Sequence, residues 1–294
     1  MKMDRSEFLK KTEEYRKTFL CYAEDVFSSV RTESALSEAV KYSFFAGGKR
    51  IRPTLLIAVT EIVGGNVEEM LPFALALECI HTSSLIHDDL PALDNDVLRR
   101  GKPTNHVKFG EATAILAGDA LMNFAYEVCL GACDSPRKVS CALILAELSG
   151  YRGMLGGQAV DIERENKPLA GPAEESLLLN VDSLKTGKLL TAPFVLPAVA
   201  YGKDTKPFYA LGEIFGRIFQ FADDVLDEIS SSEEMGKTVG KDKSAGKLTA
   251  VSVYGLEEAK NKIKGLSDQF KKLSESVDTS GILKHFMNSV TERI

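Results

Sequence analysis

The 294-residue sequence predicts an all-α fold, a single domain over residues 1–294 built as a bundle of mostly antiparallel helices around a deep central cavity. Three observations lead there. Apolar residues recur at helical spacing along most of the chain, and convincing strand alternation is absent. No Pro/Ser/Gly-rich linker or low-complexity tract divides the chain, so one large core is expected. Two aspartate clusters, His87-Asp88-Asp89-Leu90-Pro91-Ala92-Leu93-Asp94 and Gln220-Phe221-Ala222-Asp223-Asp224-Val225-Leu226-Asp227, each close an apolar helical stretch. Carboxylates are costly to leave uncompensated in such places.

The elements follow in order. Residues 7–29 form a charged amphipathic helix, and 34–46 a second that ends at Gly47-Gly48. The helix over 53–64 takes Pro53 as its first residue and stops at Gly64-Gly65. Residues 71–89 make a long apolar helix that runs into the first aspartates. Further helices are predicted at 111–132, 136–164, 173–186, 188–202, 207–229, 247–275 and 279–292. The loops 90–110 and 230–246 leave the two clusters where mobile lids over a ligand belong.

Bulk properties exclude several classes. Net charge is −6, so a general nucleic-acid binder is not expected, although Lys and Arg gather locally at 49–52, 99–102, 185–188 and 237–247. Five cysteines without a nearby His or Cys set read as buried reduced thiols, not as a zinc site. The charged start, Met1 to Glu7, does not suit a secretory signal. The longest apolar stretch, Leu189 to Tyr201, is too short to span a bilayer and contains Pro193 and Pro197. A cytoplasmic protein without a membrane span is expected.

The clusters point to a metal-held anion. Adjacent carboxylates repel, and a divalent cation is the simplest relief. Asp223 and Asp227 are four apart and share a helix face with Gln220, a spacing of oxygen ligands that suits Mg²⁺. A merely solvated helix end fits poorly, because carboxylates at a helix C-terminus oppose its dipole and Ile218, Phe219 and Phe221 precede them. In the first cluster Pro91 disturbs the turn, which lets Asp94 swing back toward Asp88. Two such clusters facing one cavity would hold several hard cations around a diphosphate. Gly47-Gly48-Lys49-Arg50-Ile51-Arg52-Pro53 joins close-approach glycines, a helix N-terminus and two cations, as a second anion site would. Arg99 and Arg100 are consecutive and could serve two different anions. His81, seven residues before Asp88 on the same face, is either an anion donor or a core histidine; His87 reads as structural. Lys185-Thr186-Gly187-Lys188 offers phosphate-type donors, and Gly156-Gly157-Gln158 with Asp161 places a polar pair on another helix.

Taken in order, these motifs resemble the trans-isoprenyl diphosphate synthase (polyprenyl synthetase) family over nearly the whole chain. The resemblance rests on Gly48-Lys49-Arg50-Ile51-Arg52-Pro53, on Glu78-Cys79-Ile80-His81 leading to the first cluster, and on Leu98-Arg99-Arg100-Gly101-Lys102-Pro103-Thr104. Gly157-Gln158 with Asp161, Lys185-Thr186-Gly187, Gln220 with the second cluster, and Gly236-Lys237 with Gly246-Lys247 complete it.

It implies an isoprenoid-synthase bundle, usually homodimeric, that condenses isopentenyl diphosphate head-to-tail with dimethylallyl, geranyl or farnesyl diphosphate through an allylic carbocation. Asp88, Asp94 and Asp223 would be principal ligands of about three Mg²⁺ ions, supported by Asp89, Asp224 and Asp227. Arg99, Lys185, Thr186, Gln220, Lys237 and Lys247 would hold the allylic diphosphate. Gly48, Lys49, Arg52, His81 and Arg100 would hold isopentenyl diphosphate. Asp88, Asp94, Arg99, Lys185, Asp223 and Lys237 form the expected catalytic set. Chain length should be set below the metals: Ser84 and Ser83 are expected to face the cavity, with Ile80 deeper and Phe124 helping to close the bottom. The serines stand near where bacterial farnesyl synthases of this type carry an aromatic floor. With the two residues inserted in the first cluster, they resemble geranylgeranyl synthases. A C20 product is expected, with C15 farnesyl diphosphate as the second reading. A terpene cyclase would need only one diphosphate site, and a regulatory subunit usually loses an aspartate cluster; both clusters are intact here.

Overall fold

In the computed structural model, which describes residues 3–30, 34–164, 172–229 and 248–294, helices dominate as the periodicity requires. Helix α1 (Arg5–Ser29) opens with a capping box: Glu7 N donates to the Asp4 carboxylate, and Asp4 N donates back to Glu7. Its buried stripe of Phe8, Tyr15, Phe19, Ala23 and Phe27 leaves Cys21 on the opposite, exposed face. Cys21 therefore departs from the expected burial, whereas Cys79, Cys129 and Cys141 are buried and Cys133 is half-buried.

Helices α2 (Ala35–Phe44) and α3 (Ile51–Ile62) flank the glycine-rich segment. Pro53 is the third residue of α3, still within the first turn, where a missing N–H costs nothing. Helix α4 (Val67–Asp88) starts four residues earlier than expected because the Asn66 side chain accepts from Glu68 N and caps it. The segment after α4 contains more structure than a plain loop. A two-stranded hairpin, β1 (Leu98–Arg99) and β2 (Lys102–Pro103), turns at Arg100-Gly101, both with positive φ. A short α5 (Asn105–Phe109) follows.

Helix α6 (Glu111–Gly131) packs along α4. The helix expected over 136–164 is two, α7 (Pro136–Ser149) and α8 (Met154–Arg164). The break falls at Gly150–Gly153, where a Cβ on Gly153 would lie 2.1 Å from Leu148 O. Helix α9 (Pro172–Asp182) passes through one π turn (Ser183–Gly187) into α10 (Lys188–Ala200), which is buried along nearly its whole length. Helix α11 (Lys206–Ile229) carries the second cluster. The last expected pair is three helices, α12 (Ala250–Tyr254), α13 (Leu256–Ser274) and α14 (Ile282–Thr291), because Gly255 at φ +78° separates the first two.

Helices α3, α4, α10 and α11 meet at the centre, and their buried apolar side chains join those of the outer helices in one cluster. Helix α6, not the buried α10, is the described helix long and apolar enough by composition to cross a membrane, with a mean hydropathy of 1.2. One of its faces is packed on α4, while Ile115, Leu116 and Leu130 are exposed on the other. Val139 and Leu143 of α7 and Leu155 of α8 are exposed as well.

Candidate active site

A cavity of about 650 Å³ is lined by the C-terminal ends of α4 and α11. Asp88, the last residue of α4, and Asp223, near the end of α11, both line it. The two clusters, far apart in sequence, are thus brought to one space. Burial pushes the Asp88 carboxyl up to about 6, and Lys185, the strongest opposing influence, pulls it down. The turn after α4 closes through Asp94 N, which donates to Asp88 O at 2.9 Å, so Asp94 does return to the helix end. Its charge adds to the upward shift of Asp88.

The remaining cluster aspartates are engaged differently. Asp89 is buried and held by Arg99, whose Nε lies 2.8 and 2.9 Å from the two carboxylate oxygens. Asp224 is also buried; it accepts from Gln220 Nε2 at 2.8 Å and from Ala250 N, at the start of α12, at 2.7 Å. Asp227 is half-buried one turn beyond Asp223. Among the described residues, no three acidic, His or Cys side chains enclose an ion by themselves. An all-oxygen, incomplete donor set fits Mg²⁺, which keeps several waters and completes its shell with substrate phosphate. The cavity also holds an orphan acceptor, Gln158 Oε1, buried without a hydrogen-bond donor.

The same cavity carries basic and neutral donors. His81, Arg52, Arg99 and Arg100 line the cavity with Lys185, Thr186 and Gln220. Burial and the surrounding Arg52, Arg100, Arg99 and Arg50 hold His81 well below its usual range, so it is neutral and offers a hydrogen bond, not a charge. Burial lowers Arg52 to about 10, which leaves it charged at neutral pH, and its Nε has no hydrogen-bond partner. Burial also lowers Lys49, which feels Arg293 and Asp223 nearby. Arg100 donates to Gly47 O, and its guanidinium packs on Gly48 so closely that a Cβ there would lie 2.7 Å away. That contact, with φ at +110°, explains the glycine. Arg99 and Arg100 therefore serve two different places. Thr186 Oγ1 donates to Gln220 Oε1 at 2.7 Å, which joins the π turn to α11. Lys237 and Lys247, with the whole loop 230–246, lie outside the described residues.

The structure places the four expected chain-length positions in different surroundings. An α-helix advances about 100° per residue, so Ser84, four before Asp88, shares its face, whereas Ser83, five before, is turned about 140° away. Ser84 does line the cavity. Ser83 is buried and donates to Gly118 O at 2.8 Å, inside the α4–α6 seam. Ile80 is buried in the core outside the lining, and Phe124 packs its ring on Phe27 in a separate groove of about 330 Å³. The apolar walls are instead Ile115 and Met122 of α6, Met154 and Leu155 of α8, Leu189 of α10 and Phe219 of α11.

Comparison with known proteins agrees with this arrangement. The family model described as polyprenyl synthetase matches residues 33–285. The chain belongs to the polyprenyl synthetase family. It is 46% identical over 79% of its length to the Arabidopsis thaliana heterodimeric geranylgeranyl pyrophosphate synthase large subunit 1, chloroplastic, of which it spans 64%. It is 41% identical to the Micrococcus luteus farnesyl diphosphate synthase over 89% of its own length and 90% of that protein's. A geranyltransferase from Helicobacter pylori, solved with magnesium and isoprenyl diphosphate, superposes with a TM-score of 0.83 at 34% identity, covering 99% of this chain and 98% of that one. As a member of this all-α family, the protein is a prenyl-transferring enzyme.

For a polyprenyl synthetase, two features were not anticipated from sequence. Arg50, in the left-handed region at φ +50°, buries its guanidinium on Glu78 Oε1 at 2.7 Å and donates to Phe44 O. This joins two of the sequence motifs in one ion pair; their presence within motifs was the available signal. Arg293, just past α14, approaches Asp223 Oδ1 at 3.8 Å, and no motif marked it.

The raised Asp88 value carries a pH prediction. A carboxyl whose folded value exceeds its ordinary one favours folding when neutral, and that contribution fades as pH rises through about 6. A cation bound to Asp88 would compete with the proton for the same group. Adding Mg²⁺ should therefore raise the melting temperature at pH 8 and do so much less at pH 5. Equal shifts at both pH values in thermal denaturation would contradict the assignment.

Proposed function

We propose that this polyprenyl synthetase is a Mg²⁺-dependent enzyme that joins isopentenyl diphosphate head-to-tail to dimethylallyl, geranyl and farnesyl diphosphates, with geranylgeranyl diphosphate as the main product. The observation that carries the reading is one cavity lined together by Asp88 and Asp223, by Arg52, His81 and Arg100, and by apolar side chains. The Helicobacter relative's magnesium and isoprenyl diphosphate support the same ligand chemistry. Mg²⁺, about three ions per site held by Asp88, Asp94 and Asp223 with the other cluster carboxylates in support, would neutralise charge on the allylic diphosphate as it departs.

The chain's own residues do the rest. Lys185, Thr186 and Gln220 hold the allylic diphosphate from the π turn and α11, with Lys237 and Lys247 assigned to the same anion on sequence grounds. Arg99, anchored on Asp89, faces that diphosphate with a fixed charge, as preorganised electrostatics require. Lys49, Arg52, neutral His81 and Arg100 hold isopentenyl diphosphate, with Gly48 letting Arg100 close on the backbone. Ionisation yields an allylic cation, the isopentenyl double bond attacks it, and a proton leaves to the released diphosphate. Water must be excluded meanwhile, and the apolar walls serve that purpose.

The single contiguous core supports one domain. The exposed Leu116 and Leu130 of α6 and Val139 and Leu143 of α7, which do not line the cavity, support a homodimer. The test of the activity is incubation of the purified protein with Mg²⁺, labelled isopentenyl diphosphate and each allylic starter. A C20 product formed by the protein alone is expected, and release of phosphate without chain extension would refute the reading. A C15 product is the second reading, favoured by the similarity to the Micrococcus luteus farnesyl diphosphate synthase along nearly all of both chains.

Chain length gives a further prediction. Ser84→Phe places a ring one turn below Asp88, on the lining face, and should shorten the product by one isoprene unit or more. Ser83→Phe should instead wedge the α4–α6 seam and lower stability. Product chromatography that shows an unchanged length for the Ser84 variant would remove that residue from the ruler.

A further inference from the structure

Lys185 and Asp88 line one cavity with opposite charges. In a partly desolvated space an ammonium and a carboxylate attract strongly, and direct contact would be their default. Such a contact would set a fixed positive charge directly on the carboxylate where a cation would bind, and repel that cation. In the structure each group is paired elsewhere. Lys185 Nζ is 2.6 Å from Asp161 Oδ2, and Asp88 Oδ1 accepts from Gln158 Nε2 at 3.0 Å. Gln158 and Asp161 are one turn apart on the same face of α8.

The backbone supports this spacing. Helix α8 presses so closely on the π turn that a Cβ on Gly157 would lie 2.3 Å from Lys185 N, which sets Gln158 and Asp161 beside the backbone that carries Lys185. Gln158 Oε1, in turn, is buried at the cavity without a donor. A buried acceptor is costly to leave so, and a hydrated cation held by Asp88 would bring water as the missing donor.

We propose that Gln158 and Asp161 are positioning residues that hold Asp88 and Lys185 apart, keeping the cation and diphosphate halves of the site open before substrate arrives. The inference rests on reading the cavity as a metal–diphosphate site, and it deepens that reading.

Mn²⁺ binding to the full, substrate-free chain at pH 8, read by electron paramagnetic resonance, tests it separately from turnover. Asp161→Asn should weaken Mn²⁺ binding at least about tenfold, because Lys185 falls onto Asp88. Adding Lys185→Met to Asp161→Asn should restore most of the affinity, a recovery that a merely structural role does not produce. Gln158→Met, which leaves the Asp161–Lys185 pair in place, gives a second line with the same loss and the same recovery on adding Lys185→Met. Parent-like affinity in both single variants, failure of Lys185→Met to rescue, or a parent that binds no Mn²⁺ would overturn the inference. An inactive parent in the labelled-isopentenyl assay would instead refute the proposed function and leave the Mn²⁺ result standing.

Discussion

Asp88→Asn should lower turnover by about a thousandfold or more while leaving the helical fold intact. Losing roughly 4 kcal/mol of electrostatic stabilisation at the departing diphosphate corresponds to that factor. Asp88 ends α4 at the cavity, and no other described carboxylate shares its position; Asp89, beside it, is already bound to Arg99. The same variant should melt at an equal or higher temperature at pH 8 without Mg²⁺. Burial holds the Asp88 carboxyl at about 6, so its ionised form is a cost to the empty protein above that pH, and the amide removes the charge. Loss of activity with gain of stability is the signature of a functional carboxylate. Steady-state kinetics and thermal denaturation check the two halves, and a variant that stays active or melts early would contradict the role.

Glu78→Leu should lose about 3–5 kcal/mol of stability, because it strands the Arg50 guanidinium in the core with its ion-pair partner removed. Both side chains are only 3% exposed. The melting temperature should fall by roughly 10 °C, and activity with it, since Arg50 sets the backbone that presents Lys49 and Arg52. Removing both charges should be far milder. Arg50→Met with Glu78→Leu leaves an apolar pair of similar volume, and replacing a whole buried ion pair is often neutral. The double-mutant cycle, measured by thermal or denaturant unfolding, should show strong coupling. Additive losses would mean that the pair does not act as a unit.

Much of the fold was legible because a helical period survives in nearly every segment. What the pattern could not show were interruptions that leave the period intact. Gly150–Gly153 and Gly255 end helices through backbone conformation and close contact, and the apolar spacing runs across them undisturbed. The hairpin at 98–103 is too short for alternation to register. At the site, residue types and spacing marked Asp88, Asp223, Arg52, His81, Arg100, Lys185, Thr186 and Gln220, all of which line one cavity. Counting helix turns would have separated Ser84 from Ser83, because the angular difference is a property of the helix alone. The remaining misses could not be read locally. That Asp224 caps α12, that Arg50 meets Glu78, and that Arg293 approaches Asp223 depend on tertiary packing between distant segments.

The crystal structure of the protein soaked with Mg²⁺ and a bisphosphonate is the most direct test. Density for the ions bridging Asp88 and Asp223 to the ligand's phosphonates, with Lys185 turned toward them, is the predicted result. A bisphosphonate bound away from this cavity, or ions that touch neither aspartate, would contradict it.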